Sequence, residues 1–134
     1  MKYVIDSSVV LKTCLPEQGS EAAERLMDEF SRGLHQLLAP DVFPIEVGHA
    51  LVKAERKKIL TQSQGSQSLS EILALLPDLH RSLPLLPRAY ELASKARIGV
   101  YDCLYLILAE QEGCDFLTSD RKLFSLPHVS PFPA

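Results

Sequence analysis

The sequence predicts an α/β protein, a three-layer α/β/α sandwich around a mainly parallel central sheet. Short apolar segments alternate with amphipathic segments of helical periodicity along the whole chain. The first apolar segment, residues 3–5, ends abruptly at Asp6, as a strand buried on both faces of a parallel sheet would. Residues 102–113 are apolar almost all round, which is typical of a buried helix.

The composition indicates an ordinary soluble domain. The chain has 134 residues, of which 46% are hydrophobic and 23% charged, so we expect one domain spanning residues 1–134. No segment is apolar for the roughly 20 residues that a membrane span needs, and Asp6 interrupts any signal-like start. We therefore expect a cytoplasmic protein without membrane contact. The three cysteines lack metal-ligand spacing, and the net charge of −3 does not by itself indicate nucleic-acid binding.

The first half of the chain predicts two strands and two long helices. Residues 21–30 place apolar side chains at spacings of three and four, which predicts a helix that ends near Gly33. Residues 36–40 form the second predicted strand. Asp41 is the expected N-cap of a helix over residues 42–59, with Pro44 in its first turn, where a missing N–H is tolerated.

The second half continues the alternation. Residues 61–70 are either a polar loop or the start of a helix running to Leu76. The two prolines within residues 81–87 restrict any strand there to a short or edge position. A helix over 88–97 closed by Gly99, the buried helix, a strand at 115–118 and an edge strand within 128–132 complete the prediction.

Four carboxylates occupy positions that a parallel sheet would bring to one rim. Asp6 and Asp120 follow strands, while Glu46 and Asp102 lie near the starts of helices. Each Asp alone is more often a helix cap or turn residue, and Glu46 alone a solvated side chain. Together they predict an all-oxygen site for Mg²⁺ or Mn²⁺.

Four segments resemble the motifs of the PIN-domain nucleases, and in particular the VapC toxins of toxin–antitoxin pairs. They are VIDSSVVLK (4–12), APD (39–41) leading to EV (46–47) and AL (50–51), YDCLYLILAE (101–110) and LTSDRKL (117–123). The resemblance covers nearly the whole chain in the family's order. One departure is His49, where many relatives have an asparagine three residues after the glutamate.

The resemblance implies a metal-dependent endoribonuclease that hydrolyses RNA phosphodiester bonds. It implies that Asp6, Glu46, Asp102 and Asp120 are the catalytic and metal-binding acids, with Ser8 and Thr118 as supporting hydroxyls. We expect Asp6 and Asp102 to be the principal ligands of Mg²⁺ or Mn²⁺, with water as the nucleophile. It further implies an RNA substrate, a cognate antitoxin protein that covers the acidic rim, and a homodimer.

Other side chains have two interpretations each. Six basic residues are either phosphate contacts or solvated surface: Lys53, Arg56, Lys57, Lys58, Arg121 and Lys122. Tyr101 and Tyr105 could stack on a base, although core packing is the favoured prediction for both. The apolar residues 72–76 could lie in the core or at an interface.

Two rival functions stay open at this level. An aspartyl-phosphate enzyme would use Asp6 as nucleophile, but a haloacid-dehalogenase-like phosphatase would have a second aspartate where this chain has Ser8. A receiver domain would need an acid pair at the first strand and a phosphoacceptor aspartate, and neither is clear. The other rival is a catalytically silent PIN-like domain used for binding.

Overall fold

A five-stranded sheet lies at the centre of the computed structural model, which describes residues 1–16 and 18–132. Its spatial order is β3-β2-β1-β4-β5, and every neighbouring pair is parallel. The strands are β1 (Lys2–Ile5), β2 (Gln36–Pro40), β3 (Asp78–His80), β4 (Asp115–Thr118) and β5 (Val129–Pro131). The predicted edge strand near the C-terminus is thereby confirmed.

Six α-helices form the outer layers of a three-layer α/β/α sandwich. Helix α1 contacts α2 and α3, α3 packs against α4, and α5 packs against α6. The helices are α1 (Ser7–Leu11), α2 (Ser20–Ser31), α3 (Phe43–Arg56), α4 (Gln62–Ala74), α5 (Leu86–Ala96) and α6 (Val100–Glu112). Short 3₁₀ turns occupy residues 83–85 and 121–123. The predicted fold class is confirmed.

The chain reverses its direction of travel across the sheet at β1. It moves outward from β1 to β2 and β3, then returns to place β4 on the other side of β1. Open α/β sheets bind ligands outside the strand ends at such a reversal. The backbone N–H of Asp6 donates to the Leu117 carbonyl at 3.1 Å, so the ends of β1 and β4 are joined where this reversal occurs.

Helix α6 is the most buried helix. Every side chain from Cys103 to Ala109 is buried, and the helix contacts β1, β2 and β4. Gly113 ends it in the left-handed region, at φ 64°, where a residue without Cβ is unstrained. The predicted buried helix is confirmed, and its position fixes Asp102 in the first turn beside the sheet.

Some local predictions are wrong. Asp41 does not cap α3, because the N-cap is Val42. The Asp41 carboxylate instead accepts hydrogen bonds from the N–H and the hydroxyl of Ser82. Gly99 is the N-cap of α6, because α5 already ends at Ala96, with Arg97 as its left-handed C-cap. Asp41 therefore interacts with a residue distant in sequence and not with its own helix. Gly99 serves the helix that follows it and not the one that precedes it.

The polar segment after residue 60 is helical. Thr61 accepts a hydrogen bond from the N–H of Gln64, whose side chain accepts one from the Thr61 N–H, and this capping box starts α4. Residues 83–85 form a 3₁₀ turn, so the strand predicted within 81–87 lies earlier, as edge strand β3. Ile72 is buried in the core, whereas Leu73 is exposed.

Candidate active site

Asp6 lies between β1 and α1, and three hydroxyl groups hold its carboxylate. Thr118 and Ser8 donate to Oδ2 at 2.7 and 3.1 Å, and Ser7 donates to Oδ1 at 3.4 Å. Although Asp6 occupies the N-cap position of α1, its side chain makes no capping hydrogen bond. Its carboxylate is therefore oriented by side chains of α1 and β4 and not by the helix terminus.

Thr118 joins two of the acidic segments. Its side chain is fully buried at the end of β4, and its oxygen both donates to Asp6 and accepts the N–H of Asp120 at 3.1 Å. The Ser119 N–H also donates to the Ser8 hydroxyl, at 3.4 Å. The two hydroxyls predicted as supporting groups thus make contacts with the acidic segments that follow β1 and β4.

Glu46 lies in the first turn of α3, and a hydroxyl from α6 holds it. The Tyr105 hydroxyl donates to Glu46 Oε1 at 2.5 Å. The Tyr105 ring is buried and stacks on Phe116 of β4, with ring centroids 5.3 Å apart. The prediction of core packing is confirmed for Tyr105, but the sequence analysis missed its hydrogen bond to Glu46. The available signal was the spacing of three residues between Asp102 and Tyr105, which places both side chains on one face of α6.

The acids interact electrostatically, and two of them have raised pKa values. Burial and the charges of Asp6 and Asp120 raise the pKa of Asp102 to about 6, and Lys122 opposes that rise. Burial likewise raises the pKa of Glu46; the Tyr105 hydrogen bond lowers it, and the charges of Asp6 and Asp102 raise it further. Glu46 therefore lies within electrostatic reach of Asp6 and Asp102, and Asp102 lies within reach of Asp6 and Asp120.

Asp120 begins the 3₁₀ turn at residues 121–123. Its Oδ1 accepts the Lys122 N–H at 3.1 Å, and the Lys122 ammonium lies 3.9 Å from Oδ2. The capping interpretation considered for the aspartates thus holds for Asp120, and Lys122 is directed toward an acid. Oδ1 thus makes the capping hydrogen bond, whereas Oδ2 faces the Lys122 ammonium.

The acidic set fits a divalent cation by its chemistry. Carboxylates that raise one another's pKa are stabilised by a nearby positive charge, and hard oxygen donors suit Mg²⁺ or Mn²⁺. Within residues 1–16 and 18–132, however, no three carboxylate, imidazole or thiol groups are grouped closely enough to hold a metal ion. Ligation of an ion by three of these groups would therefore require side-chain positions different from those described.

An open cavity of about 510 Å³ adjoins the carboxylates. It is lined by Ser7, Ile45, Glu46, His49 and Tyr101. Tyr101 is 57% exposed, so the favoured prediction that it packs in the core is wrong. Its position at the start of α6 directs the ring outward, whereas Tyr105, one turn later, faces the sheet. His49, the position that departs from the family pattern, lies in the same cavity.

The cysteine next to the acids does not supply reactive sulfur. Cys103 is buried, and burial followed by the charge of Asp102 raises its thiol pKa to about 11. A thiol with that pKa stays protonated at neutral pH and is a poor nucleophile or metal ligand.

Among the described residues, none of the helices combines the length and apolarity that crossing a bilayer requires.

Comparison with known proteins identifies the family of this chain. The PIN-domain family model matches residues 3–129. Ribonuclease VapC3 of Pyrobaculum aerophilum is 36% identical over 136 residues, covering 100% of this chain and 97% of that protein.

Solved structures share the fold. PAE2754 from Pyrobaculum aerophilum aligns with a TM-score of 0.74 and 22% identity, covering 98% of this chain and 92% of that one. VapC20 of Mycobacterium tuberculosis, described as a toxin that cleaves the sarcin-ricin loop, aligns with a TM-score of 0.65 and 11% identity, covering 96% and 99%. By the family match and the full-length relative, this chain belongs to the PIN-domain family and resembles its VapC-type toxins.

Proposed function

We propose that this chain is an endoribonuclease that depends on Mg²⁺ or Mn²⁺ and acts as the toxin of a type II toxin–antitoxin pair. The observation that supports it best is the set of interacting carboxylates at the reversal point of the sheet, with raised pKa values at Asp102 and Glu46. The ribonuclease relative, at 36% identity over the whole chain, supports RNA as substrate.

Asp6 and Asp102 are the principal metal ligands in this proposal. Each interacts with the other and with at least one further acid, so a cation beside this pair relieves the most repulsion. Glu46 and Asp120 bind at the margin, directly or through water. When bound, a divalent cation lowers the pKa of water and offsets charge on the pentavalent transition state of phosphoryl transfer.

The chain's own side chains orient the acids and handle the proton. Thr118 and Ser8 fix the Asp6 carboxylate, and Tyr105 fixes Glu46. Glu46, whose pKa is raised, is suited to accept a proton from the attacking water. Attack by water leaves a 5′-phosphate and a 3′-hydroxyl, whereas attack by the RNA 2′-hydroxyl would leave a cyclic phosphate.

The decisive experiment is cleavage of total RNA by the purified protein with Mg²⁺, with Mn²⁺ and with EDTA, beside Asp6→Asn. We expect fragments with 5′-phosphate ends that disappear in EDTA and in the variant. Cleavage that survives both conditions would overturn the metal-dependent mechanism. A protein that binds RNA identically with and without the substitution, and never cuts it, would instead fit the silent binding domain.

Partner and location follow from the same proposal. Solved relatives include a VapBC2 complex of Rickettsia felis, with a TM-score of 0.68 and 14% identity over 98% of this chain and 97% of that one. By analogy we propose a small antitoxin encoded beside this chain, a homodimer of single-domain subunits, and action in the cytoplasm, where the RNA is. Co-purification with the adjacent gene product, with loss of cleavage in the complex, tests the antitoxin.

A further inference from the structure

A groove between α1 and α3 adjoins the carboxylate site through Ser8. Its volume is about 300 Å³, and Ser8, which donates a hydrogen bond to Asp6, lies on its wall. Apolar side chains form much of the remaining surface, and Lys53 of α3 and its C-cap residue Lys57 line it farther along. The lining residues are Ser8, Leu11, Leu15, Ala50, Lys53, Ala54, Lys57 and Ile59.

The lysines continue the stripe of α3 on which Glu46 lies. Lys53 and Lys57 follow Glu46 by seven and eleven residues, which is close to whole turns of an α-helix. At about 1.5 Å per residue, Lys53 lies roughly 10 Å along the helix from Glu46 and Lys57 roughly 16 Å. One helix therefore presents an acid to the carboxylate site and two ammonium groups to the groove that leads away from it.

The positive charge of this stripe is not cancelled locally. Lys53 and Lys57 are exposed, and neither forms an ion pair with an acid in the described residues. The only acid between them in sequence, Glu55, directs its carboxylate against Gly65 of α4, where an added Cβ would collide with it. Glu55 therefore points toward α4, and the groove keeps a cationic wall.

The end of α3 fixes this geometry. Lys58 adopts the left-handed conformation at φ 61°, its N–H donates to Glu55 O, and the Ile59 N–H donates to Ala54 O. This is a Schellman motif with a lysine in the position that glycine usually occupies. It ends the helix at Arg56, with Lys57 as the C-cap, and turns Ile59 back into the groove.

From these observations we infer that the groove binds the backbone of single-stranded RNA on one side of the scissile phosphate. Lys53 and Lys57 contact phosphates, and the apolar surface formed by Leu11, Leu15 and Ile59 accommodates ribose and base. A strand that enters a site of four carboxylates in a protein of net charge −3 needs such local cations. The inference rests on the proposed ribonuclease function.

Salt-dependent binding tests it without cleavage. Asp6→Asn protein in EDTA is titrated with a fluorescent single-stranded RNA of about 12 nucleotides, within the usual site sizes for single strands. The Lys53→Gln/Lys57→Gln variant is compared with Arg32→Gln/Lys95→Gln in the same background. The control removes the same charge from exposed side chains that pair with Asp28 and Glu91 outside the groove.

The groove variant should reduce the slope of log affinity against log salt by about 1.4, or about 0.7 for each lost phosphate contact, and weaken binding roughly tenfold at low salt. The control should leave the slope unchanged. Equal slopes for the two variants, or no RNA binding by the Asp6→Asn parent, would overturn the inference. If the groove variant binds RNA normally but loses an acidic protein segment, the groove serves a protein partner and the inference is also wrong.

The two proposals fail separately. Cleavage of RNA by wild-type protein, with slopes equal in both variants, would retain the ribonuclease and exclude this groove as the RNA path. If the groove variant reduces the slope of log affinity against log salt but the wild-type protein cleaves no RNA, the groove is supported as an RNA-binding site. The proposed ribonuclease activity is then wrong. Because the substituted lysines are exposed, unchanged thermal unfolding is expected, and it should be measured for each variant.

Discussion

The Tyr105 hydroxyl donates a hydrogen bond to the Glu46 carboxylate across 59 positions of sequence, joining the buried helix α6 to the first turn of α3. Burial and the charge of Glu46 raise the pKa of Tyr105 far above its ordinary value, so the hydroxyl stays protonated and remains a donor. A core aromatic residue thus fixes the orientation of an acid at the candidate active site.

Tyr105→Phe should weaken catalysis while leaving the fold intact. The ring and its stacking on Phe116 remain, but Glu46 loses the hydrogen bond that lowers its pKa and fixes its position. Loss of such an orienting partner typically costs about 10–100-fold in metal affinity or activity. The measurement is the Mg²⁺ concentration that gives half-maximal RNA cleavage, with thermal unfolding as the check on folding. An unchanged Mg²⁺ dependence would show that Tyr105 has only a packing role.

Thr118→Val should affect both stability and metal dependence, whereas Thr118→Ser should affect neither strongly. Valine keeps the volume but leaves the Asp6 carboxylate and the Asp120 N–H without their buried partner. We expect a loss of about 1–3 kcal/mol in the free energy of unfolding, measured by urea titration. We also expect a higher Mg²⁺ requirement. Serine retains the hydroxyl, so equal loss in the two variants would show that packing of the threonine methyl, and not hydrogen bonding, is decisive.

Asp102→Asn should stabilise the metal-free protein in a pH-dependent way. The Asp102 pKa rises from 3.8 to about 6 on folding, so the folded state binds the additional proton between these values. Its stabilising contribution is therefore complete below pH 3.8 and is lost as pH rises to about 6. Relative to Asp102→Asn, the wild type in EDTA should lose roughly 1–3 kcal/mol over this interval.

Urea unfolding of both proteins from pH 4 to 7 measures that difference, because contributions from groups that do not interact with Asp102 cancel when the two curves are subtracted. Saturating Mg²⁺ should restore wild-type stability at pH 7 and do little for the variant. A difference between the two proteins that does not vary with pH would contradict the raised pKa.

The fold and the acidic set could be predicted from sequence because both follow from short-range patterns. Apolar runs ending in aspartate located β1 and β4, and the apolar character of α6 located Asp102 in the first turn of a buried helix. The order of these motifs along the chain then predicted that the four acids lie at one edge of the sheet. Their catalytic roles remain a prediction.

What sequence could not supply depends on contacts between distant elements. Asp41 has the pattern of a helix cap, yet its carboxylate accepts hydrogen bonds from Ser82, which only the pairing of β2 with β3 brings near. Tyr101 and Tyr105 are four residues apart on one apolar helix, yet one ring is exposed and the other buried. Local periodicity identifies a buried helix without showing where its first turn leaves the core.

Tyr101→Ala should weaken RNA binding at the carboxylate site. The ring is exposed beside Glu46 and His49 in the cavity of about 510 Å³, a position suited to stack on a base next to the scissile phosphate. Base–aromatic stacking is worth about 1–3 kcal/mol, so KM should rise about tenfold with a smaller change in kcat. Tyr101→Trp should retain most of the affinity, because it preserves a stacking surface.

Tyr90→Ala is the matched control for Tyr101→Ala, since Tyr90 is 68% exposed on α5 and lines none of the cavity beside the acids. The stacking partner can be identified with RNAs that carry an abasic nucleotide at successive positions around the cleavage site. At one position the loss caused by Tyr101→Ala should disappear, because the base that stacked is already missing. If Tyr101→Ala weakens binding of every abasic RNA equally, the ring acts by shaping the cavity and not by stacking on a base.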